Sequence, residues 1–213
     1  MHAPIRTVIF DFEGTLVDFQ WRLAEAEAEL RAAFAQQGYA VEGNYARMWN
    51  LAADRATAPD RIDALRRALY PVYDRWDGDA LTRWSARAGA AALLQRLAER
   101  GVAAALVSNI GRTALDAALV RFGLRDRLRR VVSRDDVTRL KPDPQGVALA
   151  LAATNTPPDQ ALFVGDSLAD VHAARAAGLR VAIIRGGEAP EADFAAAPPD
   201  WLITRLDEVA GLI

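Results

Sequence analysis

Six short apolar runs, each stopping at polar or turn residues, constrain this chain most: Thr7–Phe12, Val102–Val107, Val131–Val132, Ala161–Val164, Val181–Ile184 and Trp201–Ile203. Most lack alternating polarity, as parallel strands buried on both faces do. Helical patterns lie between the later runs. Leu115, Ala118, Leu119 and Phe122 form one stripe, closed by Gly123. Val147, Ala148, Leu151 and Ala152 form another, with Pro144 at a plausible first turn. Residues 168–177 are rich in alanine and end at Gly178. Strands alternating with helices predict an α/β fold around a parallel sheet.

One connection is too long for that scheme. A strand–helix–strand unit takes about 30 residues, whereas about 90 separate Phe12 from Val102. Gly89–Arg100, closed by Gly101, reads as the crossover helix, and the surplus reads as helices of its own. Trp21, Leu30 and Phe34 start one stripe, ending at Gly38; Tyr45, Met48, Trp49, Ala52 and Ala53 form a second. Ile62, Leu65, Leu69, Tyr73 and Trp76 form a third, with a kink expected at Pro71. The reading is a core of residues 1–17 and 88–213 with an all-helical module, 18–87, inserted after the first strand.

Composition narrows the function. A net charge of −2, from 26 basic against 28 acidic residues, lacks the basic excess expected of a nucleic-acid binder. The arginine-rich stretch Arg125–Arg134 is expected to be a solvated helix end. There is no cysteine, which excludes thiolate catalysis and cysteine–zinc sites. No apolar run approaches a membrane span, and no secretory leader precedes the first strand, so the expectation is a cytoplasmic protein, monomer or homodimer. Only Lys141 among the 26 basic residues is lysine. A position that kept lysine in so arginine-biased a chain points to a need for a compact ammonium.

Ligands of open parallel sheets bind beyond the carboxyl ends of the strands. Asp11, Phe12, Glu13, Gly14 and Thr15 follow the first strand, Ser108 and Asn109 the second, and Gly165, Asp166, Ser167 and Asp170 the fourth. Lys141 lies near the region after the third, in Leu140-Lys141-Pro142-Asp143-Pro144. Each set alone could turn the chain or cap a helix. Together they bring carboxylates, one lysine and neutral donors to one sheet edge, a combination suited to a divalent cation and a phosphate.

In that order, DFEGT, VSN, the lysine of LKPDP and GDSLAD resemble the four motifs of the haloacid dehalogenase superfamily. The helical insertion resembles its type 1 cap, and the likeness to phosphoglycolate phosphatase-like members covers nearly the whole chain. The resemblance implies a Rossmann-like core and a Mg²⁺-dependent phosphatase of small phosphate esters, acting through an aspartyl-phosphate. It implies Asp11 as nucleophile, with Asp11, Asp166 and the backbone carbonyl of Glu13 as metal ligands. Ser108 and Asn109 would hold the phosphoryl oxygens, Lys141 would stabilise the transition state, and Asp170 would orient Lys141 or a metal-bound water.

Glu13 departs from the family pattern, which usually carries aspartate two residues after the nucleophile as acid and base. A side chain one methylene longer makes a catalytically weakened, phosphate-binding regulatory protein the main alternative. A 2-haloacid dehalogenase or a phosphomutase fits the motifs less well. Minor candidates are Arg112 toward phosphate and Arg22, Arg47, Trp49 and Asn50 toward substrate. Gly186 and Gly187 suggest a mobile loop near the site, His172 reads as a surface helix position, and His2 reads as part of a frayed terminus.

Overall fold

A computed structural model describes residues 3–213; His2 lies outside the described residues. Six parallel strands form one sheet: β1 (Thr7–Phe10), β2 (Ala103–Val107), β3 (Arg130–Val132), β4 (Ala161–Gly165), β5 (Arg180–Ile184) and β6 (Trp201–Ile203). Their spatial order is β3-β2-β1-β4-β5-β6, so β1 and β4 lie at the centre. Val8, Ile9, Phe10, Leu162, Phe163 and Val164 are fully buried there, as continuous apolar runs require. No helix is long and apolar enough to cross a membrane.

The insertion is helical, as its stripes predict: α1 (Leu23–Gln36), α2 (Tyr45–Arg55) and α3 (Pro59–Leu81). Asn44 opens α2, its side chain accepting the Arg47 N–H at 2.9 Å. The crossover helices follow as α4 (Ala90–Glu99), α5 (Arg112–Arg121), α6 (Gln145–Thr154) and α7 (Leu168–Ala176). Pro71, where a kink is expected, lies inside α3, which runs through it. Proline there deprives the Arg67 carbonyl of its helical N–H, but buried Leu69 and Tyr73 on either side bind the helix to the core.

The chain leaves and re-enters the core at adjacent points. Val17 bridges Ala86, the Asp18 N–H donates to the Ser85 carbonyl at 3.0 Å, and the Arg87 N–H donates to the Leu16 carbonyl at 2.9 Å. β1 is shorter than its apolar run. The Asp11 N–H still donates to the Val164 carbonyl at 2.9 Å, but the chain then turns back over Phe12, whose carbonyl accepts the Leu16 N–H at 2.8 Å. Phe12 packs edge-on against Trp84 at 5.1 Å.

The arginine-rich stretch is not a solvated helix end. Arg130–Val132 is the edge strand, and Arg134 is completely buried under the insertion. Its guanidinium pairs with Asp77 of α3 at 2.8 Å and with Asp74, and lies 5.0 and 4.9 Å from the rings of Tyr70 and Tyr73. Asp77 is saturated in turn, accepting the Trp21 indole N–H at 3.0 Å and the Gly111 N–H at 2.9 Å. Burial works against the charge on Arg134, but Asp77 and Asp74 outweigh it and its pKa lies above the usual range. Such a desolvated pair is stable only with its remaining donors and acceptors satisfied, as most are here.

Candidate active site

At the carboxyl edge of the sheet, Asp11 follows β1, Asp166 follows β4 and Asp170 sits in the first turn of α7. All three are buried, and a carboxylate oxygen from each lies within 4.8 Å of the others. Lys141 reaches in from the loop before α6, its Nζ 2.6 Å from Asp11 Oδ1 and 2.7 Å from Asp170 Oδ1. Three buried acids thus face one ammonium. Burial, with Asp170 nearby and despite Lys141, raises the Asp11 pKa to about 6. Burial and the charges of Asp11 and Asp170 push Asp166 well above the carboxylate range. For Lys141 burial pulls downward, but Asp11 and Asp170 prevail and keep it charged.

The acids differ in what they have left to offer. Asp170 Oδ2 accepts the Asp166 and Ser167 N–H groups, each at 3.0 Å, and the Ser167 hydroxyl at 2.8 Å, while Oδ1 takes Lys141. It is therefore occupied as a helix cap and as a partner of the lysine. Asp166 accepts one donor on each oxygen, the Thr15 hydroxyl at 2.9 Å and the Glu188 N–H at 2.6 Å. Asp11 accepts Lys141 on Oδ1 alone. Asp11 and Asp166 keep lone pairs for a hard cation, and their oxygen donors suit Mg²⁺. The backbone closes tightly around Asp166, since a Cβ on either Gly14 or Gly187 would collide with its carboxylate. Gly14 also takes a φ of +78°, which a side chain would oppose.

Ser108 and Asn109 lie at the end of β2, both buried. The Asn109 side chain grips the lysine's own backbone, accepting the Lys141 N–H at 3.0 Å and donating to the Lys141 carbonyl at 3.3 Å. Its carbonyl accepts Arg134 Nη1 at 3.2 Å, so the buried ion pair of the insertion abuts the loop. On the same loop, Asn50 of α2 accepts the Leu140 N–H and donates to its carbonyl, both at 2.8 Å. Trp49 donates its indole N–H to the Thr138 carbonyl at 3.0 Å. Trp49 and Asn50 therefore hold a core loop and do not line the cleft. Arg112 is engaged by Asp136 and Asp116, Arg22 lies 3.7 Å from Asp79, and Arg47 and His172 are exposed.

Glu13 is turned to the hinge. Its Oε1 accepts the Gln20 and Trp21 N–H groups and the Trp84 indole N–H, each at 2.8 Å, while Oε2 has no hydrogen-bond partner among the described residues. The extra methylene is thereby accommodated between core and insertion. Despite these donors, burial lifts its pKa to about 8, which leaves the carboxyl protonated at neutral pH.

Two polar lining residues escaped sequence reasoning as site residues. Tyr45 opens α2 and lies 3.5 Å from the Asn109 amide nitrogen. Glu188 follows Gly186-Gly187 beyond β5, so the strand-end rule that found the others would have found it too. Burial and the nearby acids Asp170 and Asp11 raise its pKa to about 7. The cleft that these residues enclose has a volume of only about 20 Å³, room for about one water.

Comparison with known proteins identifies the family. The chain is 30% identical over 193 residues to an N-acetylmuramic acid 6-phosphate phosphatase of Pseudomonas putida, covering 86% of this chain and 84% of that one. It is 32% identical over 222 residues to a phosphoglycolate phosphatase of Nitrosospira multiformis, covering 99% and 96%. Among solved structures, CbbY from Rhodobacter sphaeroides in complex with phosphate superposes with a TM-score of 0.67 at 22% identity, over 96% of each chain. A subfamily IA hydrolase of the superfamily from Geobacter sulfurreducens superposes at 0.63 and 24%, over 98% of this chain and 100% of that one. The family model of haloacid dehalogenase-like hydrolases matches residues 5–178, a stretch that holds Asp11, Lys141, Asp166 and Asp170 alike, and the chain belongs to that family.

Proposed function

We propose that this hydrolase is a Mg²⁺-dependent phosphatase of small phosphate monoesters, with the insertion acting as a cap over residues 1–17 and 88–213. The observation that carries this reading is the buried cluster in which Asp11 and Asp170 share Lys141 beside Asp166. Three acids against one ammonium leave an excess of negative charge that a bound cation would offset. The phosphatases among its relatives support the same conclusion.

Asp11 and Asp166 would hold the metal, with the Glu13 carbonyl as a third ligand. When bound there, Mg²⁺ supplies the positive charge that lets a carboxylate approach a phosphoryl group. Ser108 and the Asn109 N–H bind phosphoryl oxygens, and Lys141 stabilises the charge that builds on them. Asp11 attacks phosphorus and the bond to the ester oxygen breaks, its electron pair leaving on that oxygen. Glu13, protonated at neutral pH, gives the departing alkoxide its proton. A water then loses a proton to Glu13 and attacks the aspartyl-phosphate, freeing phosphate and restoring Asp11.

The test is phosphate release from p-nitrophenyl phosphate with Mg²⁺, with EDTA as control. Release that needs the metal and is lost in Asp11→Asn, with the circular dichroism spectrum unchanged, is the expected result. Activity that survives EDTA, or an Asp11→Asn variant near the wild-type rate, overturns the proposal.

A further inference from the structure

Among the described residues Lys141 is the sole cation lining the cleft over Asp11, and it is already committed to Asp11 and Asp170. Glu188 lines the same cleft and lies outside the segment matched by the family model. Of the rest of the lining, Asp11 and Glu13 carry carboxyl groups, Tyr45, Asn109 and Ser167 are polar, and Phe19 and Ile110 apolar. Nearby arginines are occupied elsewhere. Arg87 donates to the Arg185 and Gly186 carbonyls at 3.0 and 2.7 Å, and Arg185 pairs with Glu191 at 2.9 Å. The insertion brings no cation to the cleft either. Glu27 of α1 accepts the Tyr45 N–H at 3.3 Å and adds to the negative field at Glu188.

Resting on the phosphatase reading, we infer that Glu188 is a specificity-determining residue, which selects phosphate esters of uncharged or cationic alcohols and rejects those whose alcohol carries a carboxylate. A carboxylate placed here would be desolvated beside a like charge with no free partner, a costly arrangement. An ammonium or hydroxyl in the same place gains Glu188 as acceptor. The backbone of Glu188 is tied to Asp166 through its N–H, so the side chain is presented from a fixed point. A substitution that keeps this N–H changes the charge in the cleft while leaving that anchor in place.

Three esters of matched size separate the charges: 2-phosphoglycolate, ethylene glycol monophosphate and phosphoethanolamine. Their kcat/KM values are measured on the Mg²⁺-loaded wild type, Glu188→Gln and Glu188→Ala. In the wild type, phosphoglycolate should be the poorest by about tenfold or more. Both variants should improve the ratio of phosphoglycolate to ethylene glycol monophosphate by about the same factor, whatever they do to absolute rates. A structural role would lower all three esters in parallel and leave the ratios unmoved, which overturns the inference. Phosphoglycolate as the best wild-type substrate overturns it too, while leaving the phosphatase reading intact. Release from none of the three, nor from p-nitrophenyl phosphate, removes that reading and this inference together.

Discussion

Replacing Glu13 by glutamine should stabilise the metal-free protein while disabling the enzyme. The glutamine carbonyl can accept the same three donors, the N–H groups of Gln20, Trp21 and Trp84, so the hinge contacts persist and only the buried charge is lost. Burial raises the carboxyl from 4.5 to about 8, so between those values the folded state binds a proton that the unfolded state releases. Wild-type stability therefore falls as pH rises through this window, and the full penalty is present above pH 8. At about 1.4 kcal/mol per unit, the ceiling is about 5 kcal/mol, and relaxation around the group reduces it to ~2 kcal/mol. Urea unfolding of both proteins in EDTA at pH 5.5, 7 and 8.5 measures the difference. The variant's advantage should grow with pH, and kcat on an alkyl phosphate should drop about 10²-fold or more, with a smaller drop on an aryl phosphate. A stability difference that stays flat across the three pH values, or a variant less stable at pH 8.5, refutes the reasoning.

Lys141→Arg should cost almost as much kcat as Lys141→Ala, because a planar guanidinium cannot place one compact charge 2.6 and 2.7 Å from two carboxylates; steady-state kinetics of the two variants decides this. Gly187→Ala should weaken Mg²⁺ binding, read as a higher half-saturating Mg²⁺ for phosphatase activity, since its methyl meets the Asp166 carboxylate. Arg134→Met should destabilise the chain by about 3–5 kcal/mol in urea unfolding by stranding Asp77.

The sheet is legible in the chain because its central strands are buried on both faces and so read as continuous apolar runs. The strand ends are less so: Phe12 is as apolar as Phe10, yet a turn closed by Gly14 takes it out of the strand. Asp11, Asp166 and Asp170 could be named because each directly follows a strand or opens a helix, and Lys141 because it is the one lysine in an arginine-biased chain. Arg134 could not, since its burial depends on Asp74 and Asp77, more than fifty residues away, and an arginine among arginines gives no local sign of it. Glu13 was identifiable as an anomaly, but the place for its longer side chain comes from the Trp84 indole and two hinge amides, which no spacing rule reveals.

The seam between insertion and core is stitched by two indoles. Trp49 donates to the Thr138 carbonyl and Trp84 to the Glu13 carboxylate, and both are buried. Admitting a phosphate ester to a chamber the size of one water requires this seam to part, and parting it changes the solvation of the rings. The protein therefore carries its own optical gauge. Its ultraviolet emission should shift as the seam opens and closes, so a stopped-flow fluorimeter can time each breath of the cleft in the unlabelled chain.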